Sequence, residues 1–286
     1  DIDIAAITRP DLLAGRNPRW LNMSRLGEVL NGTADGERLD PPVRAMILWN
    51  ANPMVVTPNV EAIRRGLERD DLFTVVHEQF VTDTTMYADI VLPATTQIEA
   101  TDVVPAWGHL WLGWNEQAIE PLGECVNNSE LHRRLARAMG YTEPELYVDD
   151  MTALKEALPT VDLGELRRDG VVRMPYPDDG RPFGDGVFPT RSGKVELISD
   201  ALVAMGQPAL PTYVAPCESL GGDPTLSSRF PFALLTPKQH TRFLNSSYSH
   251  LPKHGPLEGG PYVELCPADA LRLGVVEGDP VRVRND

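Results

Sequence analysis

The chain alternates short apolar runs with polar, turn-forming stretches, and these runs predict its elements. Residues 73–76 (FTVV) and 90–92 (IVL) are too short for helices and rich in β-branched side chains, so both read as buried strands. Residues 45–49 (AMILW) form an earlier strand. After that first strand comes the turn-rich tetrad Asn50-Ala51-Asn52-Pro53. Thr57-Pro58 then reads as a cap and first helical position for a helix over residues 59–69, with Val60, Ile63 and Leu67 on one face. His77-Glu78-Gln79 reads as a polar turn, and Thr82 as the N-cap of a further helix with Asp83 in its first turn. Pro93 closes the third strand, because proline cannot continue a central ladder. Strand, helix and strand within about 30 residues make a βαβ unit with a right-handed crossover. The predicted class is α/β, with an open parallel sheet that would hold a ligand at the carboxyl ends of its strands.

Farther along, the patterning loosens. Before the first strand, Leu21, Leu26, Val29 and Leu30 give one modest helical pattern in a lead-in whose partner is expected to lie elsewhere. Ser129 is placed as the cap of a helix running to Met139 and closed by Gly140; Leu131, Leu135 and Met139 share one face. A second amphipathic stretch covers residues 151–158, and residues 159–228 read as loop-rich. Past Arg229 the segments PFALLT, YVEL and PVRVRN read as short strands, with a brief helix starting at Pro267. The expected division is an α/β domain over residues 1–220 and a β-rich domain over 228–286, with the boundary between residues 215 and 230.

Composition narrows the function classes. A net charge of −15 argues against a duplex-binding role, because nucleic-acid affinity rests on Lys and Arg neutralising phosphates. One bound nucleotide needs only a few local donors and stays open. Cys125, Cys217 and Cys266 are scattered with no CxxC, so no zinc or iron–sulfur site is encoded, and the usage suits a reducing, cytoplasmic compartment. No run approaches the roughly 18 apolar residues of a membrane span. No signal peptide is visible at the start of the chain, and the chain is expected to be cut at both ends.

Candidate chemistry gathers at predicted strand ends. Asn50 and Asn52 could hold ribose or base edges, or simply form a turn. Glu78 and Asp83 could accept from a guanine edge or a ribose hydroxyl, or be solvated first-turn charges. Asp89, just before a buried strand, leans toward structure. Glu99, Asp102 and His109 lack the spacing of a nucleophile or metal set, and Trp107, Trp111 and Trp114 read as packing more readily than as a substrate funnel. Lys238, His240, Arg242, Asn245 and Ser246 form a polar cluster suited to an anionic ligand or a basic surface loop. Arg191-Ser192-Gly193-Lys194 lacks the first glycine and the following helix of a phosphate loop, and reads as a turn between strands.

Several phrases, taken in order, go further. WNANP with Pro58-Asn59, DLFTVVHEQFVTDTTMYADIVLPATTQIE, AIEPLGE with the helix ending AMG, FPTRSGKVEL, LLTPKQHTRFLNSS and GPYVELCPADALRLGVVEGDPVRVRND stand in this sequence. Together they resemble the C-terminal half of the catalytic subunit of molybdopterin oxidoreductases of the dimethyl-sulfoxide-reductase superfamily. The resemblance implies a Rossmann-like domain and a truncated double-psi β-barrel domain that together cradle molybdopterin guanine dinucleotide carrying molybdenum or tungsten. Asn50, Asn52 and Pro53 match the first cofactor loop, Glu78 and Asp83 the guanosine-contacting positions, and Asp89 the acidic residue before VLP. Lys238, Arg242, Asn245 and Ser246 match the pterin-facing stretch of the barrel.

By the same resemblance the metal's protein ligand and a 4Fe-4S centre belong to a missing N-terminal half, and the parent enzyme would meet a small-molecule substrate and a redox partner. It could be exported. The fragment alone is expected to be inactive, and it remains open that it binds no cofactor by itself. The competing expectation is a non-catalytic scaffold subunit of a respiratory complex that has lost the cofactor.

Overall fold

The computed structural model describes residues 15, 18–34, 36–174, 176, 180–216, 218–237 and 251–284. Two compact units divide the chain, Asp1–Gly184 and Asp185–Asp286.

In the first unit, a 3-10 turn (Met23–Arg25) leads into helix α1 (Leu26–Leu30), and a small antiparallel pair follows, β1 (Thr33–Ala34) with β2 (Glu37–Arg38). Next come β3 (Ala45–Trp49), the short helix α2 (Pro53–Val56), α3 (Val60–Leu67), β4 (Phe73–Glu78), a 3-10 turn (Thr84–Tyr87) and β5 (Ile90–Pro93). The three longer strands form a parallel sheet in the order β3-β4-β5, and Val126 adds a parallel bridge beside Ala94. The open parallel α/β sheet expected from the apolar runs is therefore present.

Register assigns the side chains to faces, since neighbours in a parallel ladder share a side. Met46, Thr74, Val76 and Val91 point one way; Ile47, Trp49, Val75, His77, Ile90 and Leu92 point the other. The first face meets α3. Leu30, Ile63, Leu67 and Leu72 form its buried cluster, with Met46 packed against them. Ile63 is fully enclosed, which by area contributes about 1.5–3 kcal/mol. The partner of the lead-in helix thus lies within the chain. α1 lies against α3, and a Cβ added at Gly66 would collide with the Leu30 Cβ. Asn31 Nδ2 crosses the contact, donating to the carbonyls of Gly27 at 2.6 Å and Ala62 at 2.7 Å.

The other face is met at its carboxyl end by α4 (Asn128–Met139), whose His132 ring stands edge-on to Trp49 with centroids 5.3 Å apart. Asn127, not Ser129, caps this helix, accepting from Glu130 N at 2.8 Å; Gly140 closes it at φ +76°. Arg133 links α4 to α5 (Asp150–Ala157) through Asp150 at 2.9 Å.

An antiparallel sheet also forms, of β6 (Asp102–Pro105), β7 (Trp111–Asn115) and β8 (Val171–Arg173), with α6 (Leu163–Asp169) ahead of β8. Leu112, Leu158, Leu163 and Leu166 are its core. The loop-rich reading of residues 159–228 missed α6 and β8. Asp162 caps α6 and Gly170 ends it in the left-handed region, so a seven-residue helix is held by its ends more than by a long apolar stripe.

The second unit holds α7 (Asp200–Ala204), α8 (Pro224–Arg229), α9 (Gly255–Glu258) and α10 (Pro267–Leu273). The helix expected at Pro267 is present. PFALLT, YVEL and PVRVRN were expected as strands; among their described residues no strand ladder forms. Their alternation encodes extended backbone, but a strand also needs a neighbour with matching register. Residues 190–194 do form a turn, with Thr190 Oγ1 donating to Lys194 O at 2.6 Å and Gly193 at φ +69°, but no ladder flanks it among the described residues.

Candidate functional site at the carboxyl edge of the parallel sheet

Two loops meet where β3 and β4 end. Trp49 is the last residue of β3, and Asn50 follows it in the left-handed region at φ +52°, a conformation that asparagine tolerates better than most side chains. This turns the chain sharply, so that Asn52 points inward and is 7% exposed. Its Oδ1 accepts from Thr84 Oγ1 at 2.7 Å and from Thr84 N at 3.3 Å. Thr84 Oγ1 in turn accepts from Met54 N at 3.2 Å. Asn52 Nδ2 lies 3.5 Å from Asp83 Oδ2. The loop after β3 is thereby latched to the loop after β4, with both buried polar groups satisfied. Pro53 is buried beside Asn52 and opens α2.

Glu78 ends β4 half-buried, and its Oε1 accepts from Gln79 N at 2.7 Å. Gln79 Nε2 reaches across to Thr95 O at 2.8 Å, fixing the loop after β5. The edge therefore presents the Glu78 and Asp83 carboxylates and the exposed Asn50 side chain over a braced floor.

Several site residues fall differently from expectation. His77 belongs to β4, not to a turn, and is fully buried beside Trp49 and Leu92. Its Nδ1 pairs with Leu92 O at 3.2 Å, and burial holds its imidazole below the ordinary value. Thr82 does not cap a helix. Asp83 stands before a 3-10 turn in a right-handed helical conformation, without a side-chain capping bond. Thr57-Pro58 does not open α3; Asn59, at φ +58°, caps it by accepting from Ala62 N at 3.3 Å.

Asp89 lies apart from these loops, in the structural place its position before a buried strand suggested. Its Oδ2 accepts from Thr74 N at 2.6 Å, and its own N–H donates to Thr74 O. That lies near the amino ends of β4 and β5, four residues and roughly 13 Å of strand from Glu78. Asp89 starts the ladder and does not face the carboxyl edge. Lys238, Arg242, Asn245 and Ser246, with His240, lie outside the described residues.

Glu99, Asp102 and His109 each have their own local partner. Glu99 accepts from Thr96 N, Thr96 Oγ1 and Leu122 N, which lowers its pKa and makes it a loop clamp. Asp102 accepts from Val103 N, and His109 from Trp111 N. Trp111 and Trp114 point to opposite faces of β7, so they line no common funnel. Sequence reasoning missed Thr84 as the latch. Its signal was the run Thr82-Asp83-Thr84-Thr85, which local rules assign to a helix start before they assign it to a distant loop.

An open α/β sheet with polar side chains converging on its carboxyl edge defines the class of α/β proteins that take ligands across strand ends. Comparison with known proteins makes the class specific. Residues 33–138 match the family model described as molybdopterin oxidoreductase, and residues 232–286 match that of the "Molydopterin dinucleotide binding domain". The chain is 41% identical over 286 residues to the probable oxidoreductase YoaE of Bacillus subtilis, covering 98% of this chain and 40% of that protein. It is 30% identical over 241 residues to the acetylene hydratase of Syntrophotalea acetylenica, covering 83% of this chain and 33% of the relative. The solved acetylene hydratase from Pelobacter acetylenicus superposes with a TM-score of 0.70 at 27% identity, covering 90% of this chain and 35% of that one. The chain belongs to the molybdopterin oxidoreductase family. It spans 33 to 40% of the length of those relatives. Among the described residues, no helix is long and apolar enough to cross a membrane.

Proposed function

We propose that this chain supplies part of the cofactor cradle of a molybdenum or tungsten bis-molybdopterin guanine dinucleotide oxidoreductase, with its parallel-sheet edge receiving a guanosine. The observation that carries this reading is the pair of carboxylates at the carboxyl end of β4, Glu78 as its last residue and Asp83 in the loop that follows, inside the segment that matches the family model.

The donor set fits. A guanine edge offers N–H groups and a ribose offers hydroxyls, and both are recognised by carboxylate acceptors. The side chains gathered here are carboxylates, amides and hydroxyls, which suit a base and sugar better than phosphates. Glu78 and Asp83 would accept from the nucleoside, and Asn50 would offer its amide at the rim. Asn52 and Thr84, both spent on each other, would hold the two loops at the right separation. When bound, the cofactor supplies two-electron redox chemistry at its metal, while the protein binds and orients it.

The relative at 41% identity is described as an oxidoreductase and the one at 30% as a hydratase, which favours the redox reading. A scaffold that has lost its cofactor has no need of two loops latched to present carboxylates. Lys238, Arg242, Asn245 and Ser246 lie outside the described residues, and their pterin-facing role rests on the family resemblance alone. Calorimetric titration with GMP, GDP and AMP tests the site. Saturable binding of the guanine nucleotides, weakened by Glu78→Ala and by Asp83→Ala and absent for AMP, is expected. Equal binding of AMP, or guanine binding unchanged in both variants, would remove the guanosine assignment.

A further inference from the structure

His77 is out of character for its surroundings. It sits inside a parallel sheet with no solvent exposure, one residue before Glu78. Trp49 flanks it from β3 and Leu92 from β5. His132 of α4 stands edge-on to Trp49 and acts electrostatically on His77, with its own Nδ1 paired to Asn128 O at 2.7 Å. With Nδ1–H donating to Leu92 O, Nε2 is left as a bare acceptor, and no described residue hydrogen-bonds to it. An apolar side chain would fill this position with no such orphan, and a buried unmatched acceptor carries a cost. The bond it does make joins β4 to β5 one residue below Glu78, at the base of the edge described above.

We infer that His77 is a positioning residue whose neutral imidazole holds the carboxyl ends of β4 and β5 together, so that proton uptake at His77 opposes ligand binding at Glu78. The inference rests on the guanosine reading for its ligand, but its switch is a property of the strands themselves. Among the described residues, the titratable groups that act on the ring are Glu78, the next residue of its strand, and His132 of α4. Glu78 favours the charged imidazole; His132 and enclosure oppose it, with enclosure the largest influence. A proton on Nε2 would place a charge in an apolar slot beside a second imidazole. Opening the strand ends to water relieves that, and it moves Glu78 away from its braced position.

Two measurements on the chain, each over about pH 8 to pH 5, test this; histidine alone among unperturbed side chains changes charge within that span. The first is amide exchange of the peptides spanning residues 76–80 and 91–95, corrected for intrinsic rates. Protection is expected to fall with pH in the wild type and to hold constant in His77→Gln, whose amide can still donate to Leu92 O. The second is the GMP dissociation constant. It is expected to rise as pH falls, by up to about tenfold for each unit separating the bound-state and free-state pKa of His77, and to be flat in His77→Gln.

Exchange that is independent of pH in the wild type, or equally dependent in His77→Gln, would overturn the inference. So would tighter GMP binding at low pH, the sign of a cationic His77 acting as a direct charge contact. Absence of GMP binding at every pH would instead remove the guanosine reading, and the exchange arm would still decide the switch. If His77→Gln does not fold, NMR titration of the wild-type ring decides, and an apparent pKa at or above 6.5 would sink the inference.

Discussion

Asn52 Oδ1 accepts a 2.7 Å hydrogen bond from Thr84 Oγ1 across 32 residues of sequence. Both side chains are buried, and the bond joins the loops that carry Asn50 and Asp83. Asn52 therefore acts as a brace beneath the ligand edge, and its contribution is to stability before it is to contact.

Removing the brace is expected to cost stability. Asn52→Ala leaves Thr84 N–H and Oγ1 without their buried partner, a loss of about 1–3 kcal/mol. Urea unfolding should show a lower midpoint with an unchanged slope. Glu78→Ala, at a half-buried strand end, is expected to change stability by no more than about 0.5 kcal/mol while weakening guanine-nucleotide binding.

The crossing of α1 and α3 has no room for a methyl group at Gly66. Gly66→Ala is expected to destabilise by about 1–3 kcal/mol through overpacking against Leu30, despite the gain in helix propensity. Gly108→Ala, where nothing lies within 4 Å, serves as the control and should be close to neutral in the same thermal melts.

Arg133 is mostly enclosed and satisfies three groups: Glu130 at 3.0 Å, Asp150 at 2.9 Å and the Val148 carbonyl at 3.1 Å. Arg133→Met keeps much of the stem but strands these acceptors, and a loss of about 1–3 kcal/mol is expected by urea titration. Arg133→Lys should recover part of it, because an ammonium cannot reach three acceptors with the geometry of a guanidinium.

Acid should act in two stages. Burial holds His77 below 6.5, so the unfolded chain takes up a proton that the folded chain refuses. Stability is full above about pH 6.5, and it declines as the pH falls below that value until the folded imidazole itself protonates. Glu99 and Glu130 are held below 4.5, by hydrogen bonds from Thr96 and Leu122 and by Arg133 and Arg134 respectively. Their contribution is present above about pH 4.5 and is lost as the pH falls through their lower folded values. Urea midpoints measured across this range should show both steps, and His77→Gln should remove only the upper one.

Much of the first unit was legible from local pattern. The strand at residues 45–49 matches β3, and the βαβ order of β3, α3 and β4 follows from apolar runs of strand length separated by a helical period. Gly140 closes α4 where a glycine stop was expected. These features depend on neighbours along the chain, so the sequence carries them directly. The family resemblance likewise came from ordered phrases, and the family models agree with it.

Other features depend on partners far away in sequence. His77 reads as a turn residue until Trp49 and Leu92 close around it; polarity alone cannot show that a strand continues through a histidine. Asp89 matches a family acid by position, but only the register shows that it binds the backbone of Thr74 near the amino ends of β4 and β5. Trp111 and Trp114 look like one aromatic cluster until β7 sends them to opposite faces. The sequence by itself determined the three strands of the parallel sheet, the Gly140 helix stop and the family, because short-range periodicity, turn chemistry and ordered phrases specify them. Tertiary structure alone decided which polar side chains face the carboxyl edge and which hold it together, because that depends on parallel register, which no short stretch of the chain encodes.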